Sequence, residues 1–197
     1  MRLENLSKSF QSHDGGLVRV FENLSLDMPA GGVYCITGPS GCGKTTLLNM
    51  IAGVLEPDSG TVVFEDSEKG PVSYLFQEPR LLPWRTVLEN CTLVCDDSER
   101  ALHFLELAGL SDKAGRFPSE LSGGERQRAA FARAFCYKSN VILMDEPFQN
   151  LDAELKRNLA SVFFSMLAKD SRTVVWASHD LELARICAKR IINLTSR

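Results

Sequence analysis

The stretch V-Y-C-I-T-G-P-S-G-C-G-K-T, from Val33 to Thr45, decides the fold of this chain. It joins a continuous apolar run at 33–37 to a glycine-rich loop, and the residues from Thr46 to Ala52 have the composition of a helix. A buried strand, a glycine loop and a helix in this order are the setting that a phosphate-binding motif requires. The loop from Gly38 to Thr45 matches the Walker A pattern in full, so it predicts a nucleotide site.

The backbone and the side chains of this loop both suit an anion. Glycines let successive N–H groups turn toward one phosphate, and the start of the following helix adds its positive end. Lys44 would supply a charge to the β- and γ-phosphates, and the Thr45 hydroxyl would bind Mg²⁺. The predicted nucleotide-binding residues in this region are Gly38, Pro39, Ser40, Gly41, Cys42, Gly43, Lys44, Thr45 and Thr46.

A second predicted strand ends in two acids. Four apolar residues at 141–144 are followed by Asp145 and Glu146. Because parallel strands deliver their carboxyl ends to one edge of a sheet, these acids are expected beside the glycine loop. Asp145 would hold Mg²⁺ and Glu146 would polarise the attacking water. In isolation, an Asp-Glu pair after a strand is more often part of a solvated turn. The glycine loop expected beside it favours a catalytic role for this pair.

Two further polar residues follow predicted strands. The run at 173–177 is followed by Ser178 and then by His179, and the run at 72–76 is followed by Gln77. From position alone, His179 would hydrogen-bond the γ-phosphate, and Gln77 would contact the metal or the water. Each residue is weak support by itself.

Composition narrows the class of protein. The chain has 197 residues, a net charge of -3 and a sequence pI near 5.7, so no basic surface for nucleic acid is expected. It has no apolar run of the roughly 18 residues that a membrane helix needs, and its N-terminus lacks a signal-peptide block. We therefore expect a cytoplasmic chain whose work at a membrane requires another polypeptide. Six cysteines without a Cys-x-x-Cys pair are expected to be reduced thiols.

The remaining pattern predicts an α/β domain. The first thirty residues alternate apolar stretches with turn formers, which indicates an N-terminal antiparallel β subdomain. Later strands alternate with helices, which predicts a mainly parallel central sheet. The segment from about 78 to 121 lacks a buried-strand run and predicts a small helical lobe within a single domain, 1–197. The later strands are expected at 61–64, 72–76, 141–144 and 173–177, and two helices at 98–107 and 155–167.

The octapeptide L-S-G-G-E-R-Q-R at 121–128 resembles the signature sequence of ATP-binding-cassette (ABC) ATPases. Physically it is a Ser-Gly-Gly turn that opens onto a predicted helix, and such a turn offers free N–H groups to an anion. The resemblance implies a P-loop NTPase core and a head-to-tail homodimer. Each of two ATP molecules would lie between the Walker A loop of one copy and Ser122, Gly123 and Gly124 of the other.

Other positions match the same family in order. Phe10 resembles the aromatic residue that stacks on adenine, and Gln77 matches the glutamine whose loop reports the nucleotide state to a membrane partner. His179 matches the switch histidine, and Asp152 resembles the acid of the D-loop at 150–152. The resemblance extends from Leu3 to about Ile192. It implies a catalytic set of Lys44, Gln77, Glu146 and His179, and a metal set of Thr45, Gln77 and Asp145.

A finer resemblance concerns transport. The segment 76–90, with Leu-Leu-Pro-Trp after Gln77, is similar to the ATPases of importers for nitrate, sulfonates and taurine, and Asp145-Glu146-Pro147-Phe148 agrees with that group. It implies ATP-driven uptake of a small solute through separate transmembrane permease subunits, with a solute-binding protein. The pair Gln149-Asn150 departs from the small residues usual before Leu-Asp.

Two alternatives stay open at this point. One is an ABC ATPase of an exporter or of a lipid or cell-envelope remodelling complex. The other is a nucleic-acid ATPase of the chromosome-maintenance type, which would carry a long coiled coil between the Walker A loop and the signature. The gap from Thr45 to Leu121 contains no sustained heptads, so this second alternative is disfavoured.

Overall fold

The computed structural model describes residues 1–12, 14–65, 68, 70–148, 151–170 and 172–194, and the side chains of 162, 163 and 165–170 lie outside the description. Its strands form two sheets. The antiparallel sheet has the order β2-β1-β4 and contains β1 (Arg2–Gln11), β2 (Leu17–Asp27) and β4 (Ser59–Val63). The parallel sheet has the order β5-β6-β7-β3-β8 and contains β3 (Val33–Thr37), β5 (Val72–Leu75), β6 (Val141–Asp145), β7 (Thr173–Ala177) and β8 (Arg190–Asn193).

The helices accompany the parallel sheet and form the lobe beside it. They are α1 (Lys44–Ile51), α2 (Val87–Cys95), α3 (Ser98–Leu107), α4 (Gly123–Cys136), α5 (Ala153–Asp170) and α6 (Leu181–Cys187). Short 3₁₀ turns occur at Ser111–Lys113 and Pro118–Glu120. Within the described part of the chain, no helix combines the length and apolarity needed to span a membrane.

The central strands β6 and β7 are buried along their full length. Their side chains alternate between two cores, because successive residues of a strand point to opposite faces of the sheet. Ile142 and Trp176 belong to the core that contains α4 and α5, whereas Leu143 and Val175 belong to the core that contains α1. A sheet covered on both faces explains why these strands read as continuous apolar runs.

An aromatic cluster fixes α4 and α5 on one face of the sheet. Phe131 stacks on Phe135 with ring centroids 4.5 Å apart, and Phe148 lies 5.3 Å from Phe131. Trp176 of β7 completes the cluster at 5.9 Å from Phe148 and is fully buried. Burial of large rings in this arrangement is among the strongest contributions to a core, since truncating one to alanine costs about 3–5 kcal/mol.

The segment 78–121 contains α2, α3 and both 3₁₀ turns, and α2 and α3 pack against α4. Thr86 and Glu89 form a reciprocal capping box at the start of α2, and Asp97 caps α3. These caps satisfy N–H groups that a helix start leaves unpaired. The lobe therefore consists of two capped helices that pack on α4.

The predicted fold class is confirmed, with differences of detail. The apolar stretches at 17–21 and 24–28 predict two short strands, but one strand, β2, spans 17–27. Within it Asn23 adopts a left-handed backbone (φ 52°) next to register shifts in the pairing with β1. The strand expected at 61–64 pairs with β1 in the antiparallel sheet. Two elements were not predicted, α6 and β8, because seven and four residues are too short to display a helical or alternating period.

Candidate nucleotide site

The carboxyl ends of β3, β5, β6 and β7 surround a cleft of about 470 Å³. The cleft therefore collects four features that are far apart in the sequence: the glycine loop, the two acids after β6, the glutamine after β5 and the histidine after β7. Its lining residues are Ser40, Gly41, Gly43, Lys44, Thr45, Thr46, Gln77, Asp145, Glu146 and His179.

The glycine loop curls around the side chain of Lys44. The Lys44 ammonium donates hydrogen bonds to the carbonyls of Gly38 at 2.9 Å and Pro39 at 3.1 Å. The side chain is buried, and it lines the cleft from within the curl. These carbonyls hold the ammonium at the cleft, where it can form a charge-assisted hydrogen bond to an anion that enters.

Two glycines of the loop are required by close contacts behind it. At Gly38 (φ 152°), a Cβ atom would lie 2.3 Å from the carbonyl oxygen of Leu194. At Gly43 (φ 100°), a Cβ would lie 2.4 Å from Cγ1 of Val20 and 2.6 Å from Cζ of Phe21. Leu194, which follows β8, and the middle of β2 thus lie directly against the loop. Only glycine fits both the space and the backbone angles at these two positions.

A direct hydrogen bond joins the loop to the acids after β6. The Thr45 hydroxyl donates to Oδ2 of Asp145 at 2.6 Å. Burial raises the pKa of Asp145, while the Thr45 hydrogen bond and the charge of Lys44 oppose that rise. A hydroxyl and a carboxylate oxygen side by side are ligands of the kind that Mg²⁺ prefers.

The protein ligands near Asp145 do not make a complete metal cage. Among the described residues, no group of three or more His, Cys, Asp or Glu side chains is placed to hold a metal ion. Mg²⁺ commonly binds through one or two protein oxygens together with nucleotide phosphates and waters. The pair Thr45 and Asp145 fits that mode.

Glu146 has an unusual backbone and an unusual carboxylate. Its φ is 47°, in the left-handed region that non-glycine residues seldom adopt, and its N–H donates to the carbonyl of Ala177 at 3.1 Å. Its Oε1 is buried and makes no hydrogen bond within the described residues, although Nε2 of His179 lies 3.2 Å away. Burial raises the pKa of Glu146, and the charges of His179 and Lys44 oppose the rise. Because the Glu146 side chain lines the cleft, its carboxylate can contact a water molecule there, and a raised pKa suits a base.

His179 reaches the cleft on a turn that the sheet holds in place. The N–H of the preceding Ser178 donates to the carbonyl of Ile36 at 3.1 Å, and the N–H of Asp180 donates to the Ser178 hydroxyl at 3.0 Å. The imidazole itself is about half exposed. It can therefore contact both Glu146 and a group that enters the cleft from solvent.

Several predicted residues lie outside the lining of this cleft. Phe10 is in β1, with its ring 41% exposed and the Lys8 ammonium 5.6 Å from its centroid. The side chain of Cys42 is buried in the core under the loop, so only its backbone faces the region where phosphate would lie. Asp152 caps α5 by accepting a hydrogen bond from the N–H of Leu155 at 2.9 Å. Gln149 and Asn150 lie outside the described residues.

The signature turn also lies outside the cleft. Ser122 is the N-cap of α4: its hydroxyl accepts from the N–H of Glu125 at 3.3 Å, and its own N–H donates to the Glu125 carboxylate at 2.7 Å. Gly123 and Gly124 follow as the first residues of the helix, and the turn faces solvent. The structure therefore does not bring Ser122, Gly123 and Gly124 to the Walker A loop of the same chain.

Helix α4 connects this turn to the cleft through contacts that sequence reasoning missed. The Gln127 amide donates to the carbonyl of Pro147 at 3.2 Å, directly after Glu146. The Arg133 guanidinium donates to the carbonyls of Pro79 at 2.9 Å and Arg80 at 2.8 Å, just beyond Gln77. Main-chain carbonyls of distant loops leave no sequence pattern, so these partners could not be predicted.

Comparison with known proteins agrees with the geometry. Residues 21–149, more than half of the chain, match the profile of the family described as ABC transporter. This chain belongs to the ABC transporter family. The predicted class, an ABC ATPase that binds ATP, is thus confirmed.

Two relatives with high coverage of this chain are named as ATP-binding proteins of import systems. The chain is 41% identical over 179 residues to the aliphatic sulfonates import ATP-binding protein SsuB 2 of Agrobacterium fabrum, covering 88% of this chain and 69% of the relative. It is 35% identical to the taurine import ATP-binding protein TauB of Roseobacter denitrificans, covering 100% of this chain and 78% of the relative.

The solved cassette MJ0796 has the same fold. Its dimeric structure gives a TM-score of 0.89 at 30% identity and covers 99% of this chain and 94% of that one. A dimeric post-hydrolysis state of MJ0796 bound to ADP and Pi gives a TM-score of 0.87 at 31% identity, covering 98% and 93%.

The raised pKa of Asp145 leads to a stability prediction. Ionised Asp145 costs folding free energy above its raised native pKa, and the cost disappears below the unfolded value of about 3.9. We expect Asp145→Asn, which keeps an oxygen for Thr45, to raise the free energy of unfolding near neutral pH and to abolish ATPase activity. The gain in stability should shrink as the pH falls toward about 4.

Urea unfolding of the nucleotide-free chain at a series of pH values measures this gain. Asp112→Asn, at an exposed position, is the matched control and should show little change. A lower free energy of unfolding for Asp145→Asn near neutral pH would contradict the prediction.

Proposed function

We propose that this chain is the ATP-hydrolysing motor of an importer for a small solute of the nitrate, sulfonate or taurine type. The observation that carries the proposal is the cleft that brings Lys44, Thr45, Asp145, Glu146 and His179 to one sheet edge. The relatives named for sulfonate and taurine import support uptake over export.

Binding of ATP rests on the loop and on charge. The N–H groups of the glycine loop and the start of α1 receive the phosphates, and the Lys44 ammonium neutralises part of their charge. Thr45 and Asp145 would hold Mg²⁺, with Gln77 beside them, and the ion would neutralise further charge on the β- and γ-phosphates. Phe10 would stack on the adenine from the antiparallel sheet.

Hydrolysis rests on Glu146. Its carboxylate, which lines the cleft, would accept a hydrogen bond from the attacking water and orient it, and its raised pKa makes it a stronger base than an exposed glutamate. His179, 3.2 Å from this carboxylate, would contact the γ-phosphate. Positioning and charge stabilisation of this kind supply most of the rate enhancement in phosphoryl transfer.

A second copy of the chain would complete the site. The signature turn offers exposed N–H groups at the start of α4, yet it lies outside the cleft of its own chain. MJ0796 is dimeric in both solved states, which supports a homodimer here. In that dimer Ser122, Gly123 and Gly124 of one copy would contact the ATP of the other, and Asp152 would lie near the interface.

The work would be delivered to transmembrane permease subunits. Trp84 is 70% exposed on the loop 82–86, and the buried Asn90 holds that loop through hydrogen bonds to the backbone of Leu82, Arg85 and Thr86. Arg133 joins the same region to α4. The chain would then sit on the cytoplasmic face of the membrane as one ATPase domain, 1–197, and a solute-binding protein would deliver the solute.

A Glu146→Gln variant tests the catalytic proposal. The amide cannot take a proton from water, so we expect ATP binding to persist while turnover falls by at least about 100-fold. An ATP-dependent dimer should accumulate, which sedimentation velocity would detect. Glu120→Gln, at an exposed position in the lobe, is the control and should hydrolyse normally. Turnover of Glu146→Gln at the wild-type rate would remove Glu146 as the base.

Mixing two inactive variants tests the shared site. Lys44→Ala destroys the Walker A loop, and Ser122→Arg blocks the signature turn, so each alone is expected to be inactive. A mixed dimer contains one site with an intact loop from one chain and an intact turn from the other. We therefore expect the mixture to recover ATPase activity, measured by phosphate release. No recovery beyond the two separate variants would indicate that one chain holds a complete site.

Uptake tests the direction and the class of solute. The tagged chain is purified with its bound permease, and with a solute-binding protein where one co-purifies, and the complex is placed in liposomes. When ATP is supplied in the compartment that contains this chain, labelled taurine or an alkanesulfonate should accumulate in that compartment. Sulfate serves as the comparison anion, and the Glu146→Gln complex as the control without hydrolysis. ATP-driven loss of solute from that compartment would instead identify an exporter.

A further inference from the structure

Glu125 places a negative charge at the N-terminal end of α4. This is the end of the helix that is proposed above to receive phosphate. Glu125 is the third residue of the helix, in the same first turn as Gly123 and Gly124. A carboxylate there is attracted by the positive end of the helix and repels an incoming triphosphate. The signature turn therefore needs a device that offsets this charge.

The carboxylate is engaged on both oxygens. One oxygen accepts the hydrogen bond from the Ser122 N–H at 2.7 Å, and the other accepts a hydrogen bond from the Lys113 ammonium. The side chains of Glu125 and Lys113 are only 16% and 34% exposed. The Lys113 contact, followed by the contacts with Ser122, lowers the pKa of Glu125 to about 2. The negative charge is thus permanent at physiological pH, and Lys113 is the cation that pairs with it.

Other charges around the turn do not serve this purpose. The guanidinium of Arg126 donates to the carbonyl of Leu121 at 2.6 Å and supports the turn from behind. Arg116 and Glu120 form an exposed pair at 2.8 Å that is neutral as a whole. Lys113 in contrast ends the 3₁₀ turn that follows α3, so the lobe carries it to the signature.

We propose that Lys113 is a positioning residue that cancels the charge of Glu125, so that the signature turn of one chain can accept the triphosphate bound to a second copy. This inference rests on the shared site proposed above. It assigns Lys113 to ATP-dependent dimerisation although it lies in the lobe and would not touch the nucleotide. Lys113 acts through Glu125, and it is needed only because Glu125 is an acid.

A double-mutant cycle tests this role in the full-length chain. We expect Lys113→Met to raise the ATP concentration for half-maximal hydrolysis by about fivefold, the upper end of the range that loss of a partly exposed ion pair allows. The effect should weaken at high salt, because screening reduces the repulsion between Glu125 and phosphate. Adding Glu125→Gln should bring the Lys113→Met protein back to within about twofold of Glu125→Gln alone.

Three controls separate charge from structure. Lys113→Arg keeps the cation and should behave like the wild type, and Arg116→Met removes a cation from the same loop without touching Glu125. If the ion pair only braced the fold, Glu125→Gln would break it too and would impair hydrolysis as much as Lys113→Met. That result, or a Lys113→Met protein indistinguishable from Arg116→Met, would overturn the proposal.

A dimer measurement distinguishes this failure from failure of the shared site. In the Glu146→Gln background, ATP should drive dimer formation, and adding Lys113→Met should raise the ATP needed for it. ATP-dependent dimers that are insensitive to Lys113→Met would refute the role of Lys113 and leave the proposed function intact. Absence of ATP-dependent dimers in every variant would refute the shared site, and the role of Lys113 with it.

Discussion

The 2.6 Å hydrogen bond from Thr45 to Asp145 is the contact on which the cleft depends. Thr45 lies in the first turn of α1, after the loop that follows β3, and Asp145 ends β6, which β7 separates from β3 in the sheet. Ala177 of β7 pairs with Ile36 on one side and with Asp145 on the other, so the parallel register brings both strand ends to one level. The buried central strands thereby set the distance between the loop that would hold phosphate and the acids that would serve the metal and the water.

Helix α4 connects this cleft to the exposed signature turn. Its first turn is the signature, Gln127 binds the carbonyl that follows Glu146, and Arg133 binds the loop after Gln77. Gln127 and Arg133 thus attach the helix to the loops that follow β6 and β5, and the aromatic cluster attaches it to the sheet. In the dimer proposed above, a contact made by a second copy at Ser122 would act on the helix that contacts the loops beside Glu146 and Gln77.

Much of this arrangement could be predicted from sequence, for identifiable reasons. Strands such as β3 and β7 are covered on both faces, and their apolar runs are therefore unbroken. The loop, the acids after β6 and the histidine after β7 fall at strand ends, where parallel topology brings them together. What could not be predicted depends on tertiary contacts. Strand β8 is four residues long with three of them exposed, and the side-chain hydrogen bonds of Asn90, Gln127 and Arg133 go to main-chain carbonyls. The pairing of Lys113 with Glu125 joins residues 12 apart across a turn and follows no helical spacing.

The two tryptophans of the chain occupy opposite environments, and this gives the protein a built-in optical probe. Trp176 is fully buried against aromatic rings in the centre of the sheet, whereas Trp84 is 70% exposed on a loop that Asn90 holds rigid. An indole in water emits at longer wavelength than one in an apolar core, so the emission of the two residues is separable in colour. The longer-wavelength emission, from Trp84, responds to whatever covers the lobe. The shorter-wavelength emission, from Trp176, responds to the integrity of the sheet. Occupation of the surface around Trp84 and loosening of the core are therefore distinguishable in a single spectrum, without any label.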